Sequence, residues 1–205
     1  MYHGRFKGTH YEAGYKWGAL LNKNGKKLDN CPTYTVGEER IQFGRDCKAI
    51  FEELYPEIAP NTVKNFISLI NKGFYDGVVF HRVIPGFLIQ GGCPDGTGMG
   101  GPGYSIKGEF SRNGFKNDLK HSRGVLSMAR TMVHDSAGSQ FFIMVADAPH
   151  LDNQYASFGK VIEGMEVADE IVKAKRDYND KPLEDQKMVK VTVDTFGETY
   201  DEPEK

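Results

Sequence analysis

The stretch VVFHRVIPGFLIQGG, residues 78 to 92, carries one permanent charge, Arg82, among Phe80, Val83, Ile84, Phe87, Leu88 and Ile89. Burying that guanidinium unpaired in a core strand costs on the order of several kcal/mol. Arg82 therefore either points outward from its sheet or serves something that binds. Other patterns with chemical potential fail on context. GTGMGG, residues 96 to 101, satisfies G-x-G-x-x-G, but Pro102, Gly103 and a strand-like YSI follow, so no helix N-terminus is there to receive a phosphate. It reads as a glycine-rich surface connection. His134-Asp135-Ser136 has the letters of a hydrolase triad, yet sequence neighbours do not adopt the nucleophile, base and orienter geometry, and no serine sits in G-x-S-x-G. It reads as an exposed turn. The histidines, His3, His10, His81, His121, His134 and His150, lack HExxH or paired ligand spacing, so no metal is expected. Cys31, Cys47 and Cys93 are odd in number and widely spaced, and read as reduced thiols.

The elements that position these residues come from a chain of 205 residues with 39% hydrophobic content, enough for one good-sized domain or a domain with an appendage. A formal charge of −2 and a pI near 6.3 give no global attraction to nucleic acid or an anionic membrane. The polar, interrupted N-terminus has neither a signal-peptide core nor a membrane span, so the cytoplasm is the expected location.

Thr9 and Glu12 make a capping box ahead of Ala13, Trp17, Leu20 and Leu21, which predicts a helix ending near Asn24-Gly25. GEERIQFGRDCKAIFEELYPEI predicts a second helix, with Phe43, Cys47, Ile50, Phe51 and Leu54 on one face, stopping near Pro56. APNTVKNFISLINKG predicts a third over 59 to 73, with Pro60 in its first turn, a Val63, Phe66, Ile67, Ile70 stripe and Gly73 at its C-cap. From Tyr75 onward short β-branched and aromatic runs alternate with Gly, Pro, Asn and Asp clusters, the pattern of a closed or nearly closed antiparallel barrel. A helix over 163 to 175 interrupts them with Met165, Ala168, Ile171 and Val172 on one side, and Val189, Val191 and Val193 predict the buried face of a last strand. The acidic tail, 198 to 205, is expected to fray.

FHRVIPGFLIQGG, GGPGYSIKGEF, HSRGVLSMAR, AGSQFFI and LDNQYASFGKVIEGMEV, in that order, resemble the signature of cyclophilin-type peptidyl-prolyl cis-trans isomerases over about residues 54 to 197. The resemblance implies a mainly β fold, an eight-stranded antiparallel barrel with two helices. It implies rotamase activity on Xaa-Pro bonds in peptides and in unfolded or folding proteins, as a chaperone-like monomer. No cofactor is implied, since no covalent bond changes. Arg82 matches the catalytic arginine, and His81 beside it is expected among the substrate-binding residues. Phe87, Leu88, Phe142 and Leu151 match the apolar floor for a proline ring, with Leu88 where many relatives have methionine. Gln90 and Gln140 match groups that bind the substrate backbone or orient the arginine. Ala129 and Arg130 match the edge along which a peptide lies, Arg130 standing where many relatives have asparagine. Tyr155 and His150 stand where well-studied eukaryotic relatives have histidine and tryptophan; without the indole, only weak cyclosporin binding is expected.

Ahead of this span the usual first hairpin is not recognisable. A strand over 48 to 55 would turn Ile50, Glu52 and Leu54 inward and bury Glu52, a fault the helical reading avoids. Residues 1 to 53 instead resemble the opening of penicillin acyltransferase-like N-terminal-nucleophile hydrolases, carried by FKGTHYEAGYKWGALL and a helix ending YPEI. The expected organisation is a helical segment over 1 to 53, an isomerase domain over 54 to 197 whose barrel lacks its first hairpin, and a tail. A truncated barrel leaves two other functions open: a proline-peptide-binding module with impaired turnover, and an amide hydrolase or acyltransferase fragment.

Overall fold

The computed structural model describes residues 15–22, 33–36, 39–42 and 48–205, with side chains from residue 50 onward. In chain order the elements are β1 (Tyr15–Asn22), β2 (Thr33–Val36), β3 (Glu39–Gln42), β4 (Lys48–Leu54), α1 (Pro60–Asn71), β5 (Arg82–Ile84), β6 (Leu88–Gly91), β7 (Val125–Met128), β8 (Phe141–Met144), β9 (Ser157–Glu163), α2 (Met165–Val172) and β10 (Lys187–Asp194). Single 3-10 turns stand at Ser111–Asn113 and Pro149–Leu151. Eight strands form one antiparallel sheet in the order β10-β1-β4-β9-β7-β8-β6-β5, while β2 and β3 pair only with each other. The chain entering β5 meets the start of β10 and joins the two ends of that sheet. Phe80 N–H donates to Gln186 O at 2.8 Å, Met188 N–H donates to Val78 O at 2.9 Å, and Val79 bridges Lys187.

The interior is packed by the fully buried rings of Phe66, Tyr75, Phe80, Phe110, Phe141 and Phe158. Phe66, from α1, meets Phe141 edge-on at 5.2 Å and Phe158 at 5.0 Å, so the helix closes the barrel with an aromatic plug. The start of α1 is capped from a distance. The Glu109 carboxylate accepts Asn61 N–H at 3.0 Å, Thr62 N–H at 2.7 Å and the Thr62 hydroxyl at 2.6 Å, satisfying donors that the first turn leaves free. The stripe Val63, Phe66, Ile67 and Ile70 is buried as its spacing predicts, and Gly73 N–H closes the helix on Ile70 O. α2 buries Val167, Ala168, Ile171 and Val172.

Five expectations are corrected. Within the first predicted helix the described residues, Tyr15–Asn22, are a strand, and Thr9, Glu12 and Ala13 lie outside the described residues. Within the second, Glu39–Gln42 and Lys48–Leu54 are strands, and Phe43 and Cys47 lie outside the described residues. The missing-hairpin gap is therefore filled: β1 lies between β10 and β4, with Trp17 opposite Glu52 and Ala19 opposite Ile50. Sheet pairing overrides the helical spacing here and accepts the burial that spacing avoided. Ile50, Glu52 and Leu54 are all 0% exposed, and neither Glu52 carboxylate oxygen has a partner among the described residues. Burial pushes this carboxyl well above the usual range.

In β10 the buried residues are Met188 and Val191, whereas Val189 is 41% exposed and Val193 half-buried. The pairing with β1 skips Val189, passing from Leu20 opposite Lys190 to Leu21 opposite Met188. One bulged residue resets the inward alternation. The tail is tied down rather than frayed. Asn61 exchanges two hydrogen bonds with the Glu204 backbone at 2.9 and 2.8 Å, Glu202 pairs with Lys72 at 2.7 Å, Pro203 is buried, and the Lys205 ammonium sits 4.3 Å from the Tyr104 ring centre.

Candidate active site

Arg82 opens β5, and the turn after it is built by Pro85 and Gly86. Phe87 N–H donates to Ile84 O at 3.1 Å, and Gly86 takes φ 72°, the left-handed position a type II turn assigns to glycine. The register then sets Arg82 opposite Gln90, Gln90 opposite Phe142, and Phe142 opposite Ser127, a row across β5, β6, β8 and β7. The adjacent row, Val83, Ile89, Ile143 and Leu126, belongs to the barrel core. Successive side chains point to opposite faces, so the Arg82 row lies outside the barrel.

That outer face carries its own apolar cluster. Leu88, Val125, Phe142, Met144 and Ala148 are buried there, with Phe87, Leu119, Ala129, Leu151 and Tyr155 packed around them at partial exposure. Burial on both faces explains why FFIM reads as an unbroken apolar run and VLSM as one broken only by Ser127. The floor expected from sequence, Phe87, Leu88, Phe142 and Leu151, is thus one contiguous group, and Ala129 and Tyr155 join it.

A file of amides sets how Arg82 is presented. Gln140 Nε2 donates to Gly98 O at 2.8 Å and Gly100 O at 2.9 Å, so its oxygen faces the other way and accepts from Gln90 Nε2 at 3.1 Å. That fixes Gln90 Oε1 toward Arg82, whose Nη1 donates to it at 3.5 Å. Among the described residues no carboxylate pairs with Arg82, and its side chain is exposed, so its other N–H groups face solvent beside the cluster.

The rim is braced by Arg130. Its Nε and Nη2 donate to Gln154 O at 3.0 and 2.8 Å, its Nη1 donates to Thr131 O at 2.8 Å, and its guanidinium lies 4.7 Å from the Tyr155 ring centre and 4.9 Å from that of Phe110. This side chain is occupied in pinning Tyr155 against Phe142, whose ring it meets edge-on at 5.8 Å. His150 is exposed and stacks on Phe87 at 5.5 Å, covering one end of the floor.

Two histidines lie beneath the surface. His81, next to Arg82, is buried, and its Nδ1 has no partner among the described residues. Burial, aided by the Arg82 and Lys181 cations, pulls its pKa down to about 4. With a folded-state pKa below the usual 6.5 or so, His81 is neutral above about pH 4, and folding stability falls as pH drops from about 6.5 toward 4 because only the unfolded chain takes the proton. The His81 ring resonances are therefore expected to hold their neutral positions from pH 8 down to about 5 in NMR titrations; a midpoint near 6.5 would contradict this reading.

His121 was not singled out by sequence, because a histidine in the polar run LKHSRG has no periodic or motif signal. It stacks under Phe142 at 6.1 Å and meets Tyr155 edge-on at 6.4 Å. Its Nδ1 lies 3.2 Å from Asp152 Oδ1, and its Nε2 lies 3.1 Å from Ser127 Oγ and 3.2 Å from Ser157 Oγ. These are the letters of a triad in hydrogen-bonding order, but Ser127 and Ser157 are both 0% exposed, so no acyl group reaches them. Burial holds the imidazole below its usual range although Asp152 pulls the other way, and the cluster supports the floor from below. His134 and Asp135 do lie in an exposed turn, with Ser136 half-buried just after it, and GTGMGG leads into no helix.

An exposed guanidinium at the edge of an apolar floor, on the outside of a closed antiparallel barrel, is an arrangement that can hold an apolar ring beside a charged hydrogen-bond donor. The family described as cyclophilin type peptidyl-prolyl cis-trans isomerase/CLD matches residues 41–193. Peptidyl-prolyl cis-trans isomerase B of Bacillus subtilis is 57% identical over 116 residues, 57% of this chain and 78% of that protein. A peptidyl-prolyl cis-trans isomerase of Helicobacter pylori is 50% identical over 152 residues, 70% of this chain and 90% of its own length. A crystal structure of a cyclophilin type isomerase of Cryptosporidium parvum aligns with TM-score 0.70 at 29% identity, covering 88% of this chain and 97% of that one. Another, in the presence of the dipeptide Ala-Pro, aligns with TM-score 0.65 at 35% identity, covering 71% and 92%. The chain belongs to the cyclophilin-type peptidyl-prolyl cis-trans isomerases, and its activity is the interconversion of cis and trans Xaa-Pro bonds. The match begins inside the stretch likened to the hydrolase opening, and none of these relatives supports that likeness.

Proposed function

We propose that Arg82 supplies the chemistry by donating a hydrogen bond to the prolyl nitrogen as the amide twists. An Xaa-Pro bond is held by conjugation, with a barrier of about 18–20 kcal/mol. Rotation frees the nitrogen lone pair, so a fixed donor aimed at it stabilises the twisted state more than either planar one. The observation that carries this is the placement of Arg82, amide-oriented through Gln90 and next to the Phe87, Leu88, Phe142, Leu151 and Tyr155 floor where a proline ring fits. Ala129 and Arg130 offer the edge for the peptide backbone, and His81 acts as neutral packing under Arg82.

The substrates proposed are proline-containing peptides and folding proteins in the cytosol, met by a monomer. The Ala-Pro dipeptide accompanying the C. parvum structure supports the dipeptide unit as the recognised element. We place β1 and β4 within the isomerase unit, ahead of residue 54. NMR exchange spectroscopy on an Ala-Pro peptide separates this reading from a bare binding module: cis/trans exchange cross-peaks at catalytic protein concentrations are expected, whereas line broadening without exchange would favour the binder. The hydrolase likeness of residues 1 to 53 rests on sequence alone, and self-cleavage would show as loss of the 23.0 kDa mass. With His150 on the rim and no indole, cyclosporin is expected to bind weakly; a submicromolar dissociation constant by calorimetry would refute this.

A further inference from the structure

We infer that Cys93 is a positioning residue for Arg82, acting through the glycine-rich loop that winds around its sulfur and the amide file that starts from that loop. The inference rests on the role proposed for Arg82. Cys93 lies two residues past the end of β6, after Gly92, and is fully buried. Its Sγ accepts Gly98 N–H at 3.1 Å and Gly100 N–H at 3.2 Å, and its thiol donates to Asp95 Oδ1 at 2.9 Å. The same Asp95 oxygen accepts Thr97 N–H at 3.0 Å and the Thr97 hydroxyl at 2.6 Å. The loop from 95 to 100 thus has the sulfur as its hub.

The two residues that give their N–H groups to the sulfur are the two whose carbonyls face Gln140 Nε2. An amide side chain presents either its oxygen or its nitrogen to a neighbour, and the two carbonyls decide which for Gln140. Gln140 then decides for Gln90, and Gln90 for Arg82. If the loop lets go, the Gln140 amide is free to flip, and Gln90 then meets Arg82 with N–H groups instead of its oxygen. Gly98 has little freedom to compensate: it sits at φ 84°, and a Cβ there would meet His81 Cδ2 at 3.3 Å. Gln140 Nε2 has no other acceptor among the described residues, so the orientation depends on this loop.

Because the hydrogen bond to the prolyl nitrogen strengthens only in the twisted state, misorientation acts on kcat and leaves KM alone. NMR exchange over a range of Ala-Pro peptide concentrations reads both. Cys93→Ala is expected to lower kcat about tenfold, the scale of a modest misplacement of an oriented group, with KM within about twofold. Cys93→Ser, whose hydroxyl accepts the loop N–H groups and donates to Asp95, is expected to recover most of the rate. In a Gln140→Leu background, where the file is already cut, Cys93→Ala is expected to cost nothing more. An unchanged kcat in folded Cys93→Ala, or a loss that persists in full beside Gln140→Leu, overturns the inference. If Cys93→Ala does not fold, Asp95→Ala at an exposed position decides, with a smaller kcat loss expected that also vanishes beside Gln140→Leu, and full activity counting against the proposal. Arg82→Ala measured alongside keeps the two readings apart: full activity there sinks the Arg82 role, whereas a crippled Arg82→Ala with an unaffected Cys93→Ala sinks only the positioning role.

Discussion

Arg82→Ala is expected to lower kcat/KM for an Ala-Pro peptide by about 10²–10³-fold, the loss of about 3–4 kcal/mol of transition-state stabilisation typical of a preorganised donor. Bringing prolyl isomerisation from about a hundred seconds to milliseconds needs about 7 kcal/mol, so the donor proposed here would supply roughly half. The rest comes from holding the residues on either side while the ring turns, which the apolar floor does without Arg82. The variant therefore keeps measurable activity and KM. Arg82 is exposed and pairs with no carboxylate among the described residues, so the substitution leaves the barrel intact, which circular dichroism checks. Arg82→Lys keeps the charge but not the planar fork, and an intermediate rate is expected. Equal rates for parent and Arg82→Ala would end the mechanism.

The second large effect concerns stability. Glu52 is the polar member of an otherwise apolar inward row, between Ile50 and Leu54 on β4 and opposite Trp17 on β1. Burial alone raises its carboxyl, so the folded chain keeps a proton that the unfolded chain releases above about pH 4.3. The sign follows. Below about pH 4.3 both states are protonated and there is no ionisation penalty. As pH rises, folding loses about 1.4 kcal/mol per unit until the folded-state pKa is reached. Glu52→Leu removes the carboxyl at similar volume and is expected to stabilise the protein at pH 7.5 by about 3 kcal/mol, or roughly 6–12 °C in Tm. The gain over the parent should shrink toward pH 5. A Glu52→Leu variant melting below the parent, or a gain independent of pH, would show that Glu52 has a partner or solvent contact after all.

The same residue shows where sequence was legible and where it was not. Arg82 stood out as the lone charge in an apolar run and Gln90 was assigned by resemblance, while the hairpin that sets them opposite each other is local, its turn and register lying within ten residues. The α1 stripe was readable for the same reason. Residues 48–54 carried two signals at once, a helical spacing through Ile50, Phe51 and Leu54 and an inward alternation through Ile50, Glu52 and Leu54. Desolvation of Glu52 argued for the helix, and pairing with β1 and β9, both distant in sequence, decided for the strand. The bulge at Val189 is likewise set by a strand at the other end of the chain. In the site, Phe87, Leu88, Phe142, Leu151 and Tyr155 were assigned by resemblance and are brought together, whereas His121 and the hub at Cys93 depend on contacts that no motif spells out.

β10 pairs with β1 on one side and with the chain entering β5 on the other. Residues 187–194 are thus the seam of the barrel, and they leave the ribosome after every strand they join. Until then the Arg82 hairpin can form with β8 and β7, but its outer end stays unpaired, an open edge available to other chains. Closure therefore waits for β10, the last strand of the sheet in chain order, and its arrival removes that edge.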